Sequence, residues 1–165
     1  MNDVSLHRMT RQEVDAVGAL ARIVWQATYP ALISQAQIDV MLADRYAAHR
    51  MLAQLDDPSH AWWIARRDAS PVGFAHAMLD GTDCKLDKLY VHPDHQRRGI
   101  GAALLRTVQD WARRQQAQRL WLQVNRGNAR AVRAYEKYGF RIVESRVFDI
   151  GHGFVMDDHV MELPL

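Results

Sequence analysis

Residues 90–105, YVHPDHQRRGIGAALL, constrain the fold more than any other stretch. An apolar strand end enters a basic loop with two glycines. A helix-period pattern follows at Ile100, Leu104, Val108 and Trp111, and the apolar run RLWLQV comes next at 119–124. Strand, helix and strand in that order imply a parallel crossover, because parallel neighbours cannot be joined by a tight turn. The rest of the pattern is antiparallel. AWWIAR and PVGFAHAML flank the turn Asp68-Ala69-Ser70, and Gly81-Thr82-Asp83 leads into CKLDKLYV at 84–91. If the first of these is a strand, Trp62 and Trp63 must point to opposite faces.

Two helices precede these strands. Thr10 and Glu13 have capping-box spacing, with Val14, Val17, Ala21 and Val24 on one helical face. A second, less regular stripe (Ile38, Met41, Leu42, Arg45, Ala48, Leu52) predicts one helix over roughly 34–55. A helix over 128–138 and two apolar runs at 140–148 and 159–165 complete the chain, with Asp157 and Asp158 read as a solvated turn before the last run. The expected architecture is α/β (α+β), one domain over 1–165 with a mixed, mostly antiparallel sheet flanked by helices.

With 165 residues, 48% of them hydrophobic and 24% charged, the chain can build one core. Its 21 basic and 19 acidic residues nearly cancel, which argues against a nucleic-acid partner despite the arginines at 97, 98, 106, 113, 114 and 119. Cys84 is the single cysteine, so no internal disulfide forms and a reducing, cytoplasmic setting is expected. Neither a signal segment nor a membrane span is expected, since no apolar run approaches ~18 residues. His92 and His95 lack a third ligand at convincing spacing, and no metal is expected.

The glycine loop is a natural anion seat. Helix N-termini present free N–H groups and the positive dipole end, Gly99 and Gly101 admit close approach to the backbone, and Arg97 and Arg98 add positive potential. A P-loop is excluded by the absence of its Gly-Lys-Ser/Thr. A dinucleotide fingerprint fails because Leu104 stands at the third glycine and no carboxylate follows in WLQVN.

Gln96-Arg97-Arg98-Gly99-Ile100-Gly101-Ala102 instead resembles the pyrophosphate loop of the GNAT superfamily of acetyl-coenzyme A-dependent N-acetyltransferases. Upstream LYVHP and downstream NRGNARAVRAYEKYGF extend the likeness over roughly 84–148. The resemblance implies that residues 96–102 hold the diphosphate and that Leu89, Tyr90 and Val91 meet the pantetheine arm in a splayed sheet. It also implies that Asn128 contacts the same arm and that Tyr135 is the general acid to the departing thiolate. A phenol with pKa ≈ 10 stays protonated at pH 7 and suits that task.

The family likeness also bears on the acceptor. Gln123 stands where the ribosomal-protein alanine N-acetyltransferase branch carries glutamate, and an amide cannot be a base. Asp87 matches a carboxylate of polyamine-acetylating relatives and is the candidate base, with pairing to Lys85 or Lys88 as its alternative. Trp25 and Tyr29, with Gln123, are candidates for the acceptor pocket. The expected reaction is direct acetyl transfer to a primary amine of a small molecule or peptide. The alternative is a coenzyme A-binding regulatory relative, and two copies are expected to pair through the C-terminal strands as in many relatives.

Overall fold

Tight turns set the sheet. In the computed structural model, which describes residues 4–165, Asp68 and Ala69 take φ of 49° and 67°, the positive values that a two-residue hairpin requires. They join β2 (His60–Arg67) to β3 (Ser70–Asp80), and a second turn with Gly81 at φ 61° leads to β4 (Asp83–Val91). β1 (Val4–Arg8) precedes α1 (Val14–Thr28), α2 (Gln35–Arg45) and α3 (Ala48–Leu55). After β4 come α4 (Ile100–Arg114), β5 (Arg119–Asn125), α5 (Ala129–Tyr138), β6 (Arg141–Gly151) and β7 (Phe154–Pro164).

The seven strands run β1-β2-β3-β4-β5-β7-β6, all antiparallel except β4 beside β5. That parallel pair is short, matching only Cys84 with Leu120 and Lys85 with Trp121. Beyond it the two strands part, so the sheet opens into a cleft. A bulge on β4 shapes the same region: His76 pairs with Lys88 and Ala77 with Leu86, leaving Asp87 as the extra residue.

The bulge reverses which side chains meet which layer. Cys84 and Leu86 belong to the core under α4, and after the bulge Leu89 and Val91 pack there while Tyr90 faces the layer of α1 to α3. Trp63 joins the first core and Trp62 the second, as a strand requires. Leu104, Val108 and Ile100 of α4 are buried, each contributing roughly 1.5–3 kcal/mol relative to exposure. α4 can close on β3 because position 73 is glycine. A Cβ there would lie 3.1 Å from the Tyr90 carbonyl oxygen and 3.2 Å from Leu104 Cδ1.

Two expectations are corrected. The helix expected over 34–55 is two helices, broken at Tyr46-Ala47, where the buried Tyr46 hydroxyl accepts a hydrogen bond from Trp25 Nε1 at 3.1 Å. Asp157 and Asp158 are not a turn. They lie inside β7, and the β6–β7 reversal is made earlier, by Gly151, His152 and Gly153, all with positive φ. Glycines flanking a histidine tolerate that backbone better than two acids do.

Candidate active site

The basic loop ends with two left-handed residues, Arg97 at φ 64° and Gly99 at φ 81°. Gly99 caps α4, and a Cβ there would meet only open space. In the first turn, the amides of Ile100, Gly101 and Ala102 have no protein acceptor among the described residues. The Gln96 side chain folds back, its Nε2 donating to the Val91 carbonyl at 3.1 Å. This is a vacant set of donors at a helix N-terminus beside exposed arginine side chains, and it fits a diphosphate.

The loop adjoins the split in the sheet. Leu89, Tyr90 and Val91 pair with β3 on one side, opposite Ala75, Phe74 and Gly73, and have no strand partner toward β5. Across the gap, Asn128 Oδ1 accepts from the Ala131 amide at 3.3 Å and caps α5. One helical face of α5 then carries the buried Val132 and the half-buried Tyr135, whose ring stands 5.6 Å from that of Phe140. The Tyr135 hydroxyl has no hydrogen-bond partner among the described residues. Burial, with a smaller effect from Tyr29, pushes its pKa up, so the phenol keeps its proton throughout the physiological range.

Two adjoining cavities, of about 250 and 50 Å³, lie at the mouth of the split and share Met41, Arg45, Gln123 and Ile150 in their walls. The smaller is bounded by Trp25, Tyr29, Tyr90, Asp87 and Asp158. Trp25 and Tyr29 are nevertheless core residues, 2% and 6% exposed. The Tyr29 hydroxyl is hydrogen-bonded to that of Tyr90 at 2.9 Å.

The cavity's two carboxylates differ. Asp87 Oδ2 meets Lys88 Nζ at 2.6 Å and His76 Nδ1 at 3.0 Å, and its Oδ1 meets Lys85 Nζ at 3.4 Å. Burial opposes ionisation, but Lys88, His76 and Lys85 together outweigh it and hold this carboxyl well below the usual range. Behind it, His76 Nε2 is 2.9 Å from His60 Nδ1, and burial lowers the His76 pKa to about 4. Asp158 is 4% exposed, its Oδ1 has no partner, and its Oδ2 has only a long 3.5 Å contact from Gln123 Nε2. Burial pushes it up to about 6 despite Arg45.

Asp158 and Arg45 are among the cavity residues to which the sequence assigned no site role. A period-2 reading of residues 154–160 puts Asp158 on the inward face with Met156 and Val160, and that signal was hidden by the Asp-Asp pair resembling a turn. Among the described residues no group of three or more His, Cys, Asp or Glu side chains converges as a metal site, and no helix is long and apolar enough to cross a membrane.

The chain is similar to known acetyltransferases. The model of the acetyltransferase (GNAT) family matches residues 21–140. An uncharacterized N-acetyltransferase of Mycobacterium tuberculosis is 34% identical over 144 residues, covering 84% of this chain and 90% of that protein. The streptothricin acetyltransferase of Streptomyces lavendulae is 34% identical over 87 residues, 52% of this chain and 46% of its own length. The crystal structure of an N-acetyltransferase from Thermoplasma acidophilum in complex with coenzyme A superposes with a TM-score of 0.85 at 20% identity, covering 98% of this chain and 99% of that one. The chain therefore belongs to the acetyltransferase (GNAT) family and is an N-acetyltransferase.

Proposed function

We propose that the protein transfers the acetyl group of acetyl-coenzyme A directly to a primary amine in the cleft between β4 and β5, with Asp158 as base and Tyr135 as acid. The observation that carries this reading is the co-location of free α4 amides, an unpaired β4 edge and a buried, unanswered carboxylate at one opening. Residues 96–102 grip the diphosphate, with backbone amides and the loop arginines facing the anion. The backbone of Leu89, Tyr90 and Val91 holds the pantetheine arm as an added strand, and Asn128 flanks it while capping α5.

An amine attacks only when neutral. Asp158, poised near neutrality with a free oxygen, receives the proton. Asp87 is the weaker base, because two lysines and His76 keep it ionised and its oxygens engaged. It instead fixes Lys88 and His76 beneath the aromatic wall. Gln123 orients the Asp158 carboxylate, while Trp25 and Tyr29 shape the apolar side of the acceptor cavity. Tyr135 donates its proton to the sulfur as the thioester carbon–sulfur bond breaks, so free coenzyme A leaves as the thiol.

A relative that acetylates the alanine of ribosomal protein bS18 and another that acetylates streptothricin bracket the acceptor as a small molecule or a peptide. β6 is an edge strand with Ile142, Val143 and Val147 exposed, and a second copy of the chain covers it in this reading. Calorimetry should give a one-site acetyl-coenzyme A isotherm that Gly99→Glu and Gly101→Glu abolish, and thiol should be released when amines are added. Wild-type protein that binds no acetyl-coenzyme A would refute the proposal.

A further inference from the structure

The walls of the acceptor cavity carry two charges that the protein leaves unanswered. Arg45, at the C-terminal end of α2, lines both cavities and is only half exposed. It makes no hydrogen bond or ion pair among the described residues. The surrounding charges have partners elsewhere: Asp44 meets Arg50 at 2.8 Å, Asp149 Oδ1 accepts from the Gly151 amide at 2.9 Å, and Lys85 meets Asp87. Arg45 has stayed within electrostatic reach of Asp158, Tyr29 and Tyr90 without closing on any of them. On the other wall stands Asp158 with its unpartnered oxygen.

A partly desolvated guanidinium with no bonded counter-ion is costly unless a ligand supplies one, and its planar fork matches a carboxylate. A site built for polyamines would not place a free arginine beside the reacting nitrogen, since like charges repel. We infer that the acceptor is an amino-carboxylate, a primary amine that carries its own carboxylate, with Arg45 binding the carboxylate while Asp158 faces the nitrogen. The inference rests on the acetyl-transfer reading and narrows its acceptor.

The test compares matched pairs by thiol release: alanine with alaninamide, phenylalanine with phenylalaninamide, 4-aminobutyrate with 4-aminobutanamide, together with spermidine and benzylamine. For at least one pair, wild-type kcat/KM should favour the acid over its amide ~10–100-fold, the range of a charge-assisted bidentate contact. Arg45→Ala should collapse that ratio toward 1, mainly through KM, and Arg45→Lys should restore part of it. Turnover of amines with no preference for the carboxylate, or a preference that survives Arg45→Ala, overturns the inference and leaves acetyl transfer standing. Acetyl-coenzyme A binding without thiol release for any amine overturns both.

Discussion

Asp158→Asn removes a charge and keeps the shape, so it separates what this carboxylate does for catalysis from what it does to stability. Folded Asp158 holds its proton up to about 6 against an ordinary 3.8. The sign follows from that direction. The stabilising effect of the bound proton is fully present below the unfolded value and is lost as pH rises through the folded one. The gap corresponds to about 3 kcal/mol in all, of which about 1.4 kcal/mol falls between pH 5 and pH 8. Asparagine has no such titration, so the stability difference between wild type and variant, read by urea unfolding, should shift by about 1.4 kcal/mol in the variant's favour over that interval. Thiol release with the best acceptor should meanwhile drop ~10²–10⁴-fold, the usual contribution of a positioned base. Wild-type kcat/KM should also decline as pH falls through about 6, a limb absent from the variant. A stability difference that stays flat from pH 5 to pH 8 would refute the buried, unanswered carboxylate. Full activity in the variant would refute its role as base.

Other perturbations address the remaining parts of the site. Tyr135→Phe should reduce kcat ~10²–10⁴-fold with little change in acetyl-coenzyme A affinity by calorimetry, and unchanged turnover removes the phenol from proton transfer. Lys88→Met should cost about 3 kcal/mol in urea unfolding, because it strips the nearest cation from a carboxylate only 15% exposed. A neutral outcome would mean that His76 and Lys85 alone satisfy Asp87. Gly73→Ala should destabilise by about 1–3 kcal/mol, since its methyl would press on the Tyr90 carbonyl and Leu104. Equal stability would show that α4 can ride outward freely.

The elements legible in the sequence are those set by local rules. Ile100, Leu104, Val108 and Trp111 mark the buried face of α4 by spacing alone, and all four are in the core. Asn128 as a cap and Gly99 as the turn into α4 are likewise readable from residue type. Tertiary effects decided the rest. The break at Tyr46 depends on a hydrogen bond to Trp25, 21 residues away, which no periodicity encodes. Asp87 was legible as a cleft residue with Lys85 and Lys88 as partners on its own strand, but its contact with His76 exists only because β3 lies beside β4. Asp158 was hidden because its environment is assembled from β5, β7 and α2. Two adjacent acids in a strand point to opposite faces, so one of them is buried wherever that face is covered.

The extra residue in β4 divides the labour of one strand. Odd-numbered positions after it (Leu89, Val91) pack toward α4, while Tyr90 joins the aromatic cluster of Trp25, Tyr29 and Phe74. Adjacent codons thus address different cores of the protein. Removing the extra residue Asp87 would restore plain alternation and keep every later side chain on its own layer, while taking the carboxylate away from Lys88 and His76.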